Sequence, residues 1–505
     1  MSGDPGPTYY SKWYDEGDAF YAQGLYGESV KCYERALATQ SDDYIGWNKL
    51  GLAQFALKQY LQAVFSFEQA IKIKPDIYIS WYRKGNALLV LERYEDAIAN
   101  YDRALQSNPE DNQDQIWHNK GVALSYLGRS EEALDSFGNA ITINSQNSWA
   151  WANRGKLLFD LERYQDALSS YIQSIQIKED EYISWAYLAL TLIELDSFHE
   201  ALKSFNRALE LNSTNDELWN DRGVLLYNLK QYDKALESFQ KSIDLNSQDD
   251  ITWYNKGNAY LRLERFEQAI ASYDEALALN PNNSAAWSNR GWALSALNRL
   301  DEAINSYNRA IDSDPQNCDA WNNRGSDFYT LERYQESLRD FNKAVALKPD
   351  EKLYRTNQGN ALRKLGELEK ALRSYDNALL IEPGNSEAQH WREVVLKEIG
   401  KSSSSQSTVP QVSEQEAQAT ANLFLSNYLP DRFTADQPHL VPMKEAWEVP
   451  VVLAYPYVGS IGQVGVVAVS TNSEIVLSHT PFEEMKQAGQ NLYNLNRDAI
   501  QAHFS

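Results

Sequence analysis

The 505-residue sequence is poor in cysteine, with only Cys32 and Cys318. This scarcity excludes a small fold that depends on disulfide bonds, and the two residues lie so far apart that we expect free thiols. The first residues, MSGDPGPTYY, lack the basic and apolar regions of a signal peptide. Together these absences favour a reducing compartment, and we expect a cytoplasmic protein.

Positive charge is also scarce, because 47 Lys and Arg stand against 70 Asp and Glu, for a formal net charge of −23. Such a balance opposes attraction to the phosphates of DNA and RNA, so we expect no nucleic-acid partner. Histidines number only six, and His439 and His479 have no His or Cys at ligand spacing. We therefore expect neither a metal site nor another cofactor.

One run, residues 449–469, lacks charge over a length that could cross a bilayer. Two prolines and the glycines Gly459, Gly462 and Gly465 interrupt it, so we interpret it as a hairpin rather than a membrane span. The glycines have the spacing of a weak phosphate-binding motif, but no Lys-Ser or Lys-Thr pair follows. We interpret them as turn glycines.

What the sequence does contain is a repeat. Tryptophan recurs every 34 residues, with one step of 36, and glycine usually follows it by four residues. The tryptophans are Trp13, Trp47, Trp81, Trp117, Trp151, Trp185, Trp219, Trp253, Trp287 and Trp321. The sixth unit has Ala189 in place of glycine, and an eleventh unit has Arg355 in place of tryptophan but keeps Gly359.

The later part of each unit repeats a small residue, an aromatic and another small residue, as in Ala63, Phe67 and Ala70. Apolar residues at steps of three and four in two runs predict a pair of antiparallel helices per unit. We expect the glycine to allow close helix contact, and both the tryptophan and the later aromatic to fill the space between the helices.

This pattern resembles the tetratricopeptide repeat over residues 10–385, in eleven units. The resemblance implies an all-α superhelix, an α-solenoid of antiparallel helix pairs whose concave groove holds other proteins. We predict a capping helix at 386–400 and a serine-rich flexible linker at 401–416. A small α+β domain is predicted at 417–505.

Within this last region the patterns predict a helix at 417–429 and strands at 449–455, 464–470 and 474–478. Turns are expected at 459–460 and 471–473. The sequence Thr480-Pro481-Phe482-Glu483 is typical of a capping box with proline at the first helical position. It predicts a final helix that reaches about residue 502.

In the family that the repeats resemble, the first helix of each unit lines the groove. We therefore select the asparagines two residues before the marker glycine as candidate ligands of a peptide: Asn119, Asn153, Asn255, Asn289, Asn323 and Asn357. Resemblance to the asparagine ladder of O-GlcNAc transferases implies that these amides bind the backbone of an extended polypeptide. Other residue types, such as Tyr187 and Asp221, interrupt the ladder, which forms two short runs.

A basic residue follows each of these asparagines in five units: Lys120, Arg154, Lys256, Arg290 and Arg324. If their charged groups reach the groove, they make it locally basic and favour an acidic or C-terminal peptide. Two alternatives remain. The recurrent Asn-Lys-Gly and Asn-Arg-Gly triplets are also explained by duplication of an ancestral unit, and long basic side chains can lie along helix surfaces.

We expect a non-enzymatic scaffold or adaptor that binds an extended partner polypeptide in the groove, with the C-terminal domain recruiting a second partner. One alternative is a regulatory or antitoxin-like module displayed by the array. Another is a small enzyme domain to which the repeats present substrate. The roughly 100 residues after the linker are too few for the large α/β catalytic region of a glycosyltransferase.

Overall fold

The computed structural model describes residues 7–109, 111–403, 412–429, 433–441, 446–455, 459–470 and 474–496. The chain divides into two compact units, Met1–Leu263 and Glu264–Ser505. Within the described residues, none of the helices combines the length and the hydropathy that crossing a membrane requires.

The first unit is a stack of helix pairs. Its helices are α1 (Pro7–Ala22), α2 (Tyr26–Thr39), α3 (Tyr44–Ala56), α4 (Tyr60–Ile73), α5 (Tyr78–Val90), α6 (Tyr94–Gln106), α7 (Gln113–Tyr126), α8 (Ser130–Ile143), α9 (Ser148–Asp160), α10 (Tyr164–Ile177), α11 (Tyr182–Glu194), α12 (Phe198–Leu211), α13 (Asp216–Asn228), α14 (Tyr232–Leu245) and α15 (Asp250–Arg262).

The second unit continues the helix pairs and then changes to mixed structure. Its elements are α16 (Phe266–Leu279), α17 (Ser284–Ala296), α18 (Leu300–Ser313), α19 (Cys318–Thr330), α20 (Tyr334–Leu347), α21 (Lys352–Lys364), α22 (Leu368–Ile381), α23 (Ser386–Ser403), α24 (Glu414–Ser426), β1 (Phe433–Ala435), β2 (His439–Val441), β3 (Ala446–Tyr455), β4 (Gly459–Ser470), β5 (Val476–His479) and α25 (Phe482–Leu495). The architecture is thus a solenoid of antiparallel helix pairs followed by a small α+β domain.

The turn inside each pair uses a residue with left-handed backbone. In the second repeat, Lys58 has φ 62°. Its N–H donates to the Phe55 carbonyl, and the Gln59 N–H donates to the Gln54 carbonyl, both at 2.9 Å, which is the Schellman arrangement. Three turns place glycine there (Gly24, Gly128 and Gly366), and the other eight use Lys58, Glu92, Glu162, Asp196, Lys230, Glu264, Asn298 and Glu332.

The marker glycine and the later aromatic meet inside each pair. A Cβ added to Gly223 of α13 would lie 2.5 Å from Phe239 Cε1 of α14. Phe239 itself is only 1% exposed, so its ring has little room to move. In the sixth repeat Ala189 takes the glycine's place and is fully buried in the same core as Phe205, so that pair accommodates one additional methyl group.

The prediction that tryptophan and the later aromatic fill the space between the helices is confirmed in part. The later aromatic is fully buried, as in Phe67, while Trp81 and Trp185 are half-buried and pack against the apolar clusters. Trp47 is half-buried, and its indole N–H donates to the Ser41 carbonyl at 2.9 Å, six residues earlier. The same bond forms from Trp81, Trp151, Trp185, Trp219, Trp253, Trp287 and Trp321. Arg355 reproduces it, because its Nε donates to the Pro349 carbonyl at 3.0 Å. A hydrogen bond to the preceding turn thus recurs at this position in most repeats.

The C-terminal domain is an antiparallel sheet in the order β1-β3-β4-β5, with β2 pairing to the same strand β3 as β1 does. Strands β3 and β4 pair from Ala446 with Ser470 to Tyr455 with Gly459. Helices α24 and α25 share one apolar core with this sheet, in which Val449, Val467 and Met485 are fully buried. The short strands β1 and β2 are additions to the predicted set.

The interpretation of the three glycines of the uncharged run as turn residues was wrong. All three lie in β4. The connection from β3 to β4 spans 456–458, outside the described residues, as does the turn predicted at 471–473. A Cβ on Gly465 would lie 2.9 Å from Met485 Cγ, and one on Gly462 would lie 3.1 Å from Leu492 Cδ1. These two glycines allow α25 to pack closely on the sheet.

The predicted capping box at Thr480 does not form. Pro481 is the N-cap of α25, and no side chain caps the helix. The Thr480 hydroxyl instead accepts a hydrogen bond from the Val466 N–H of β4 at 3.0 Å. This side chain is therefore bonded to the sheet and does not cap α25. Helix α25 ends at Leu495, and the predicted continuation beyond residue 496 lies outside the described residues.

Helical structure enters both ends of the predicted linker. Helix α23 continues to Ser403, and α24 begins at Glu414, while 404–411 lie outside the described residues. A capping box explains the early start of α24: the Glu416 N–H donates to Ser413 Oγ at 3.3 Å, and the Ser413 N–H donates to Glu416 Oε2 at 2.8 Å. Val412 is already part of the domain core.

Candidate functional site

The first helices of successive repeats form a layer within each unit. In the first unit α3 contacts α5, α5 contacts α7, α7 contacts α9 and α13 contacts α15. In the second unit α17 contacts α19, α19 contacts α21 and α21 contacts α23. All six ladder asparagines lie on these first helices and are half-buried.

The ladder amides donate hydrogen bonds sideways, to the preceding first helix. Asn255 Nδ2 donates to Asn220 Oδ1 at 3.0 Å, and Asn357 Nδ2 donates to Asn322 Oδ1 at 2.9 Å. Each of these bonds uses one of the two Nδ2 hydrogens of the donating amide. The amides are thus fixed in orientation while part of their hydrogen-bonding capacity remains.

The remaining ladder asparagines also form hydrogen bonds or other contacts, with different partners. Asn119 Nδ2 donates to Asn86 Oδ1 at 2.9 Å. Asn323 Oδ1 accepts from Asn322 Nδ2 at 3.2 Å, while Asn289 occupies the matching position on α17 and is also engaged. The ladder is therefore partly a set of contacts between neighbouring repeats.

His118 joins two ladder residues, and the sequence reasoning missed it. Its Nδ1 lies 3.0 Å from Asn119 Oδ1, and its Nε2 lies 2.7 Å from Asn153 Nδ2. These partners assign the hydrogen to Nδ1, because Asn119 Oδ1 can only accept and Asn153 Nδ2 can only donate. Burial lowers the pKa of His118, so the ring is neutral in this arrangement. Its place directly before the ladder position of its repeat, which Asn220 and Asn322 share in theirs, is the signal that could have identified it.

Two other residue types interrupt the ladder in consecutive repeats. Tyr187 stacks on Tyr171 with ring centroids 5.9 Å apart. In the following repeat, Asp221 occupies the ladder position, and burial raises its pKa to about 6. The nearby Glu217 also raises this pKa, while a hydrogen bond with Asn220 lowers it. A stacked phenol and a buried carboxyl therefore separate the two runs of asparagine.

An exposed apolar residue lies four positions before three of the ladder asparagines. The pairs are Trp149 with Asn153, Ile251 with Asn255, and Leu353 with Asn357. Residues four apart in a helix lie on one face, so each pair presents an amide beside an apolar side chain. This combination of exposed apolar surface and oriented amides is the candidate site.

The five predicted basic groove residues contact second helices instead. Lys120 Nζ lies 2.6 Å from Asp102 Oδ1 on α6, and Lys256 Nζ donates to Gln240 Oε1 on α14 at 2.7 Å. Burial lowers the pKa of Lys256. Arg154 Nη1 donates to Ser170 Oγ on α10 at 3.2 Å.

The two arginines in the second unit behave alike. Arg290 Nε lies 2.6 Å from Asp274 Oδ1 on α16, and Arg324 Nε lies 2.7 Å from Asp340 Oδ2 on α20. All five basic groups also lie over the tryptophan three residues earlier in their own helix. The five basic groups are thus held against second helices and against their own tryptophans.

Both cysteines are free thiols, Cys32 in the first unit and Cys318 in the second. Among the residues that the structure describes, no group of three or more His, Cys, Asp or Glu is placed to hold a metal ion.

Family models of the tetratricopeptide repeat match most of the helical array. One model matches residues 14–77, 254–317 and 322–388, a second matches 78–111 and 217–249, and a third matches 114–147, 150–181 and 183–215. Together these matches cover more than half of the chain. The chain belongs to the tetratricopeptide repeat family.

Among solved structures, yeast Tom70 is 16% identical with a TM-score of 0.36, and the match covers 78% of this chain and 96% of Tom70. A tetratricopeptide repeat protein from Parabacteroides merdae is 16% identical with a TM-score of 0.41, covering 50% of this chain and 99% of that one. YrrB, described as having an unusual peptide-binding site, is 24% identical with a TM-score of 0.33, covering 37% and 96%. No curated protein matches the sequence.

Proposed function

We propose that this protein is a non-enzymatic scaffold that binds an extended stretch of a partner polypeptide along its first-helix layer, while its C-terminal domain recruits a second partner. The observation that carries the proposal is the pairing of an exposed apolar residue with a ladder asparagine on one helix face, as in Leu353 and Asn357.

An extended polypeptide offers one N–H and one carbonyl per residue, with side chains alternating between its two sides. Oriented amides can bond that backbone without demanding a sequence, and the adjacent apolar side chains can contact every second side chain. The net charge of −23 supports a protein rather than a nucleic-acid partner, and the scarcity of cysteine supports a cytoplasmic location.

The ladder can be tested with a triple variant of the second unit, Asn289→Ala, Asn323→Ala and Asn357→Ala. Peptides selected from a displayed library on the full-length chain should bind this variant about tenfold to a thousandfold more weakly, because each of three lost backbone hydrogen bonds contributes about 0.5–1.5 kcal/mol. The measurement is the dissociation constant of the selected peptides by fluorescence anisotropy.

A matched control is the double variant Asn308→Ala and Asn342→Ala. These asparagines accept hydrogen bonds from Arg324 and Gln358 on the second-helix side, so their loss should leave peptide affinity unchanged. Equal affinity of the wild type and the triple variant would contradict a role of the ladder asparagines in binding the peptide backbone. A library that yields no binding peptide at all would contradict the proposal that the first-helix layer binds an extended polypeptide.

A further inference from the structure

In the second unit, the C-terminal domain is docked on the end of the helical array. Ile475, next to β5, is 1% exposed in an apolar cluster with Leu372 and Val395 of α22 and α23. Arg373 Nη2 donates to the Glu474 carbonyl at 3.1 Å. The guanidinium of Arg392 donates to the Leu477 carbonyl, and the Tyr428 hydroxyl donates to Asn377. Side chains of α22 and α23 thus bond to the edge strand β5 and to the residue Glu474 before it.

Between the array and the domain lies a cavity of about 580 Å³ that is partly open to solvent. Helices α22 and α23 form one wall, and β5, Phe424 of α24 and the start of α25 form the other. The volume falls within the range of small-molecule sites, about 300–1,000 Å³. The cavity is therefore a ligand-sized space built from two parts of the chain.

One side of the cavity is aromatic. The ring of His479 stacks on Phe482 with centroids 4.5 Å apart, and Phe424 lies 5.1 Å from His479 and 5.7 Å from Phe482. Leu379, Leu380 and Val476 extend this apolar surface. Such a lining favours a flat or aliphatic body.

The charged groups of the lining are mainly acidic. They comprise the carboxylates of Asp376, Glu393 and Glu483 and a single guanidinium, that of Arg392. Arg392 is already engaged, because its Nε lies 2.5 Å from Asp376 Oδ1 and its Nη2 bonds the Leu477 carbonyl. Glu483 lies 2.8 Å from Lys486 Nζ but remains largely exposed. Among the described residues, Glu393 is then the carboxylate of this lining that no ion pair neutralises, and its side chain is exposed.

We propose that this cavity binds a small organic cation, an ammonium or guanidinium group on an aromatic or aliphatic body, with the apolar part against Phe424 and Phe482 and the charge facing Glu393. Because both the array and the domain line the site, the bound cation contacts both and stabilises their docking.

The test uses the full-length chain and three probes of one shape: phenethylammonium, phenethyl alcohol and phenylacetate. Saturation-transfer NMR and calorimetric titration should show saturable binding of the ammonium, and at least about tenfold weaker binding of the anion, because like charges repel in a partly desolvated site. Binding of phenylacetate as tightly as the ammonium, or no binding of any probe, would overturn the proposal.

Two variants locate the site. Ser478→Phe places a ring into the cavity from an exposed position of β5, where an aromatic residue suits a strand, and should abolish binding without unfolding the domain. Glu393→Gln should weaken ammonium binding about threefold to tenfold and leave the alcohol unchanged. The matched control is Glu369→Gln, on the exposed side of α22 and outside the cavity lining, which should bind as the wild type does. Retained ammonium binding in Ser478→Phe would place the ligand elsewhere.

Discussion

Replacing Asp327 with alanine should stabilise the second unit by about 3 kcal/mol at pH 8, an unusually large gain for a single substitution. Asp327 lies on α19 and is only 4% exposed. Ser295 Oγ donates to its Oδ1 at 2.6 Å, but its Oδ2 is buried without a hydrogen-bond partner. Most other repeats place alanine at this position: Ala19, Ala53, Ala87, Ala123, Ala259, Ala293 and Ala361.

The gain should depend on pH. Burial raises the pKa of Asp327 from 3.8 to about 6. The hydrogen bond from Ser295 acts in the opposite direction and is the smaller effect. Because the folded protein holds this proton more tightly than the unfolded chain, the associated stability is complete below pH 3.8 and is lost as pH rises through 6. The advantage of the alanine variant should therefore be small near pH 4 and reach its full size above pH 7.

Urea unfolding of the full-length chain across this pH range, with hydrogen exchange of the amides in α17–α20, measures the effect. Asp327→Asn keeps the shape of the side chain and should also lose the pH dependence. Asp312→Ala removes an exposed carboxylate of α18 and should not alter the pH dependence. A gain that is the same at pH 4 and pH 8 would show that the ionisation of Asp327 is not its cause.

Replacing Gly223 with valine should destabilise the seventh repeat by about 3 kcal/mol, at the upper end of the cost of overpacking. Even the first added carbon would lie 2.5 Å from Phe239 Cε1 and 2.7 Å from Cδ1. Gly223 and the ring of Phe239 are both buried, so relief of this contact requires α13 and α14 to separate. Hydrogen exchange of the amides in α13 and α14 should report the loss.

The same substitution at Gly138 provides the control. Gly138 lies within α8, and a Cβ there meets nothing within 4 Å. Gly138→Val should therefore change stability by no more than about 0.5 kcal/mol, as is usual for surface positions. Comparable losses in the two variants would mean that helix propensity, rather than contact with Phe239, determines the cost.

The repeat and its helix pairs could be predicted from the sequence because the same spacing recurs in phase through eleven units. A period of 34 residues with glycine and an aromatic at fixed offsets leaves few alternatives to stacked helix pairs. The position of the asparagines on the first helices follows from the same register. Periodicity therefore determined which helix a residue lies on.

What the sequence could not show is where long polar side chains end. Arg290 and Asn289 are adjacent, yet Arg290 reaches Asp274 and Ser306 on second helices. Adjacent helical positions differ by about 100° in direction, and a guanidinium can extend far from its backbone, so its partner depends on tertiary packing. The sequence likewise did not show that a tryptophan such as Trp81 binds the preceding turn through its N–H while its ring packs against the core.

The α+β domain was predicted less completely. Its strands β1 and β2 are only three residues long, too short for an alternating pattern to be visible. Thr480 matched the local pattern of a capping box, but its hydroxyl accepts a hydrogen bond from the Val466 N–H, fourteen residues earlier, and not from the helix. Contacts between residues distant in sequence decided each of these cases.

The left-handed turns between paired helices have a consequence for how the array can change. Eight of the eleven hold a side chain where glycine fits without strain, so each of these repeats is somewhat less stable than its fold permits. In a solenoid each repeat contributes almost separately to the whole. Point mutations at these turns can thus set which repeat opens first, without altering the residues that face a partner.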